Sequence, residues 1–193
     1  AIANIDTSWT NLYTLQAEYP SVPFHTMVAD VSSENDCRRF METTIKVFGG
    51  IDILINNAGV SMRALLKDTD TEVIHKVMDI NFYGTVYCTK YALDSIIERK
   101  GTIVGVSSIA GYRGLPGRSG YSASKFAVQG WLEAIKTELM ADGVHVMKAV
   151  RKKKRTLVLT FTGKRTVFMQ KFFPKLADKF AYKFFFKDGK LVK

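Results

Sequence analysis

The chain has 193 residues, 47% hydrophobic and 12% aromatic, which suits one domain with a sizeable core and excludes wholesale disorder. Its 28 Lys and Arg exceed its 18 Asp and Glu, but the excess is local: residues 1–147 carry 13 basic and 16 acidic side chains, while residues 148–193 carry 15 basic ones against Asp178 and Asp188. Two cysteines, Cys37 and Cys88, exclude a disulfide framework, and no eighteen-residue apolar run would span a bilayer, so a reducing, cytoplasmic setting is expected.

The chain opens on Ala1 with no signal-type apolar run, the pattern of a processed chain or a fragment. Residues 1–5 read as a strand entering a helix near 7–19. A strand follows at 24–29, then a helix over 32–48 capped by Ser33 or Asn35. Residues 51–55 (IDILI) form a strand that ends at Asn56-Asn57-Ala58-Gly59. A long helical pattern covers 71–98, with Gly84 a weak point inside it. Strand 102–106, helix 122–141 and strand 144–147 complete the alternation. Strands alternating with helices predict an α/β fold, a doubly wound parallel sheet in a single domain.

Two joins violate this pattern. A parallel crossover needs about a dozen residues, yet only eight, KAVRKKKR, separate the strand ending at 147 from the strand-like run TLVLT at 156–160. The strand at 1–5 also has no preceding βα unit to support it. The expectation is that segments adjacent here are not adjacent in the natural chain, with an intact mass well above 21.7 kDa.

Ser108, Tyr121 and Lys125 carry the strongest chemical signal, within SSIAGYRGLPGRSGYSASK. Tyr121 and Lys125 stand four apart at the start of a helix, so they share a face. An ammonium held near a phenol favours the phenolate, which suits the phenol to proton exchange near neutrality. Ser108 closes a strand, where its hydroxyl would donate to a substrate oxygen. Alone, this spacing also fits a tyrosine packed beside a solvated lysine. It is accompanied by Asn57-Ala58-Gly59 at a strand end and by Asn81 in MDINFYGT.

These ordered motifs resemble the short-chain dehydrogenase/reductase family over residues 1–147. The resemblance implies a Rossmann-like core and hydride transfer between a nicotinamide cofactor and a carbonyl or secondary alcohol. Tyr121 would donate or accept the proton, Lys125 would hold the nicotinamide ribose and tune Tyr121, Ser108 would polarise the substrate oxygen, and Asn81 would hold a relay water. Asn57, Ala58 and Gly59 would line the cofactor, and Asp30 and Val31 would contact its adenine, unless they merely cap a helix. The family's glycine-rich TGxxxGxG turn is nowhere in the sequence, nor is the Pro-Gly expected after residue 147. Both departures fall where the joins look wrong. The cofactor is NAD or NADP. Asn4 or Asp6 would end the second strand of the family fold, and an acid there leans towards NAD.

His25, His75 and His145 are scattered without metal-site spacing, and Cys88 reads as an inert core residue. The helices at 86–98 and 122–140 resemble those that pair between subunits in the family, so a homodimer or homotetramer is expected. Residues 148–193 would complete the same domain. There Phe168, Phe172, Leu176, Phe180 and Phe184 recur every four residues, beside Lys171, Lys175, Lys179, Lys183 and Lys187. Pro174 predicts a break near Phe173. These stripes fit either peripheral membrane contact or phenylalanines covering the domain with solvated lysines. No recognition motif supports nucleic acid. The main reading is therefore an oxidoreductase acting on a small molecule. The alternative is a catalytically silent scaffold of the same fold with a membrane-surface tail.

Overall fold

A computed structural model describes residues 2–148, 161–187 and 190–191. The KAVRKKKR join, apart from Lys148, and the TLVLT run lie outside the described residues. Strand β1 (Ile2–Asp6) leads into helix α1 (Trp9–Glu18) and strand β2 (Phe24–Val28). Helix α2 (Glu34–Phe48) starts at Ser33, whose hydroxyl accepts from Asp36 N at 3.3 Å, with Glu34 and Asp36 complementing the positive end of the helix. Ser33, not Asn35, is thus the cap. Strand β3 (Ile53–Asn56) precedes helices α3 (Thr71–Met78) and α4 (Gly84–Glu98), and strand β4 (Thr102–Gly105) precedes helix α5 (Ser119–Glu138) and strand β5 (His145–Lys148).

The first five strands pair only in parallel, as expected for an alternating chain, but in two sheets rather than one. β1 pairs with β2, and β3, β4 and β5 form a second sheet with β4 in the middle. Both sheets serve one core. Leu54 lies in register with Ile103 and Ile103 with Val146. These residues join Cys37, Phe40, Ala92, Ile96, Val128 and Leu132 in a buried cluster, against which Ala3, Ile5 and Met27 of the first sheet pack. Among the described residues, no strand hydrogen-bonds to both β1 and β3.

The helix expected over 71–98 is also divided. Between α3 and α4 the chain makes a π-helical turn at Asp79–Tyr83, with Asn81 buried inside it. Such turns widen the helix by one residue and re-aim a side chain. The weak point is therefore the turn before Gly84, and Gly84 opens the next helix.

Beyond the core, helix α6 (Phe161–Phe172) and helix α7 (Pro174–Phe185) meet at the break expected near Phe173, with Pro174 in the first turn where its missing N–H costs nothing. A two-residue antiparallel pair, β6 (Phe186–Lys187) and β7 (Lys190–Leu191), follows. Among the described residues no cluster of three metal-ligating side chains occurs. Cys37 and Cys88 are both buried free thiols, and their mutual hydrogen bond together with burial pushes the Cys88 thiol up, which keeps it protonated and inert.

Candidate active site

The candidate residues follow the C-terminal ends of parallel strands, where open α/β sheets place their ligands. Residues 57–59 follow β3, Ser108 follows β4, and Asp30 and Val31 follow β2. Tyr121 and Lys125 stand in the first two turns of α5, and their spacing brings them together: Lys125 Nζ lies 5.9 Å from the centre of the Tyr121 ring. Lys125 is only 5% exposed, and its ammonium donates to Val106 O, at the end of β4, at 2.9 Å. Burial holds its pKa below the ordinary lysine value.

Asn81 ties this helix to the turn after β3. Its side-chain oxygen accepts from Val60 N at 2.7 Å, and its amide nitrogen donates to Val60 O and to Ser124 Oγ, each at 2.9 Å. Ser124 in turn donates to Tyr121 O at 2.8 Å. The π-helical turn aims Asn81 inward to make these bonds.

Gly59 completes the arrangement. A Cβ at this position would lie 3.1 Å from Asn81 Oδ1 and 3.4 Å from Lys125 Nζ, so only hydrogen fits comfortably. Asn57, Ala58 and Gly59 are exposed, and their backbone lies open beside the lysine. These residues fit the ribose and nicotinamide end of a dinucleotide: a bare backbone for close approach, with an ammonium next to it. The pyrophosphate end is different, because none of the 193 residues forms a glycine-rich turn of the expected pattern.

Ser108 is half-buried, and its hydroxyl accepts from Ala110 N at 3.2 Å, capping the short turn Ile109–Gly111 that packs on α5. Close packing explains the glycine there, since a Cβ at Gly111 would crowd the side chain of Gln129 and Lys125 O. Asp30 is exposed just after the end of β2. Its carboxylate accepts from Ser32 N at 2.9 Å and Ser32 Oγ at 2.8 Å, the cap-region geometry weighed against adenine contact. Val31 is half-buried and would crowd any Cβ at Gly84, which places it beside the first turn of α4. Asp6 ends β1, and its carboxylate accepts from Ser8 N at 2.8 Å.

Sequence reasoning missed two residues that build this region. Ser124 is legible only as a small polar residue on the inner face of α5. Arg113, a lone charge in the loop GYRGLPG, is buried; its guanidinium donates to Gln170 of α6 and to Asp178 of α7, the latter at 2.9 Å. It fastens the C-terminal helices over the loop that leads to Tyr121. An open cleft of about 460 Å³ lies there, lined by Leu115, Pro116, Ser119 and Ser122 on one side and by Ala181 and Tyr182 on the other.

A family model described as short chain dehydrogenase matches residues 3–152. "Dehydrogenase/reductase SDR family member 7B" of Mus musculus is 46% identical over 103 residues, covering 53% of this chain and 32% of that protein. "11-beta-hydroxysteroid dehydrogenase-like 3" of Arabidopsis thaliana is 42% identical over 114 residues, covering 58% of this chain and 37% of that one. A solved short-chain dehydrogenase from Streptomyces avermitilis superposes with a TM-score of 0.73 at 24% identity, over 78% of this chain and 57% of the other, a likeness of fold. The stretch that matches the curated relatives spans well under half of their length.

Proposed function

The chain belongs to the short-chain dehydrogenase family, and on that premise we propose that the full-length protein is a nicotinamide-dependent oxidoreductase that interconverts a carbonyl and a secondary alcohol. The observation that carries this reading is the convergence of Tyr121, Lys125, Asn81 and Gly59 on one spot beside an exposed turn. When bound, the cofactor supplies or takes up the hydride at the substrate carbon. Tyr121 gives its phenolic proton to the carbonyl oxygen in reduction and takes it back in oxidation. Lys125 offers its remaining N–H donors to a ribose hydroxyl. Ser108 donates its O–H to the same substrate oxygen, which its acceptance of the Ala110 N–H leaves free to do. Asn81 holds the Gly59–Val60 turn against α5 and borders the route by which a relay water would return the proton.

Asp6 supports a preference for NAD, since a carboxylate at a strand end accepts from a ribose 2′-hydroxyl and repels a 2′-phosphate. Asp30 and Val31 would border the adenine. The names of the plant relatives make a hydroxysteroid the first substrate class to assay. Pairing of α4 and α5 between copies into a dimer or tetramer belongs to the same proposal, and the exposed Phe126 of α5 suits it.

The test is Tyr121→Phe in the full-length protein. Turnover of NADH or NADPH with a carbonyl panel should fall by about a hundredfold to ten-thousandfold, while circular dichroism and melting temperature stay unchanged. A full-length wild-type protein that binds neither cofactor and turns over no carbonyl would instead leave the silent scaffold.

A further inference from the structure

Helices α6 and α7 present large apolar side chains that remain exposed among the described residues. Phe168, Phe172, Phe173, Leu176, Phe180 and Phe184 are all exposed large hydrophobics. At the elbow between the helices, Phe168 lies 4.8 Å from Phe172 and 6.3 Å from Phe173, ring centre to ring centre, so these three aromatics form one patch. The side of α7 that faces the body is fixed independently, by buried Ala177 and by the bond from Asp178 to Arg113.

The charge around this patch has one sign. Lys164, Arg165, Lys171, Lys175, Lys179, Lys183 and Lys187 are exposed along the two helices and β6, and Lys171 Nζ sits 5.6 Å over the Phe172 ring. The one acidic residue within the helices is Asp178, which is paired with Arg113. Phenylalanines that enter the acyl boundary, ringed by lysines that stay at headgroup level, form the pattern of a helix lying in an interface rather than crossing it. Among the described residues no helix is long and apolar enough to cross a membrane. We propose that the outer face of α6–α7 docks on an anionic lipid bilayer, with the aromatic elbow inserted and the lysines on the headgroups. A second protein copy is a poorer fit, since a like-charged patch would face itself across a two-fold axis. The cleft at α7 would then be held close to the lipid surface, within reach of a membrane-dissolved ligand.

Flotation of the intact protein with phosphatidylcholine vesicles, with and without phosphatidylserine, tests this without cofactor or substrate. Its failure would therefore leave the oxidoreductase reading standing, and the reverse also holds. Binding is expected with the phosphatidylserine vesicles, weakened by salt. Each of Lys175→Gln, Lys179→Gln and Lys183→Gln should reduce it about fivefold. Phe168→Ser and Phe172→Ser should each reduce it by about tenfold or more, with unchanged circular dichroism. Three results would overturn the proposal: no vesicle binding, equal binding to neutral vesicles, or binding indifferent to these substitutions. Self-association abolished by the phenylalanine substitutions without vesicle binding would assign the face to a second copy, and salt-sensitive retention on RNA alone would assign it to nucleic acid.

Discussion

Lys125 carries a cost along with its role. Its ammonium is buried with a carbonyl partner and no carboxylate among its hydrogen-bond partners, so its pKa falls below the ordinary 10.5. For a base with a lowered folded-state pKa, the penalty is fully present below that pKa. It is relieved as pH rises through it towards the unfolded value. Lys125→Met should therefore abolish turnover while keeping or raising the melting temperature at neutral pH. The wild type should gain on the variant as pH climbs into the alkaline range, readable in paired thermal melts. The tyrosine–lysine pair was legible in the sequence because two residues four apart on a helix must share a face. Partners supplied by distant chain were not. Asn81 is bound to Ser124, 43 residues away, and Lys125 to the main chain of Val106. Main-chain acceptors leave no trace in residue identity.

At the scale of elements, the latch between the loop after β4 and the C-terminal helices is asymmetric. Arg113 has a side chain 8% exposed, whereas that of its partner Asp178 is 71% exposed. Removing the carboxylate leaves a buried guanidinium with Gln170 but without its counter-charge, while removing the guanidinium leaves a carboxylate in water. Asp178→Ala should thus destabilise helix docking more than Arg113→Met, by about 1.5–3 kcal/mol as for a lost hydrogen bond to a charged group. Hydrogen exchange of α7 would report it, and equal effects would count against the latch. The helix break at Pro174 was legible because proline cannot continue a helix. The π-helical turn was not, since nothing in DINFY departs from helical periodicity and its cause is the set of bonds made by Asn81.

For the whole molecule, the alternation of strands and helices revealed a parallel α/β core, and Leu54, Ile103 and Val146 fill it as continuous apolar strands do. The division into two sheets was legible only indirectly, through the unsupported first strand. One consequence appears on β3. Leu54 is buried, but Ile53 and Ile55 on the opposite side are 62% and 51% exposed. A covering helix would normally shield such residues. Replacing both with lysine should leave the core intact while raising the concentration at which the 193-residue chain begins to scatter light.

That bare side adjoins a backbone edge that pairs with no strand among the described residues. One edge of β3 and one edge of β1 offer main-chain donors and acceptors to whatever extended chain comes near. The molecule is in this sense a lock still waiting for a strand-shaped key. A short β-forming peptide added in trans would have somewhere specific to seat itself.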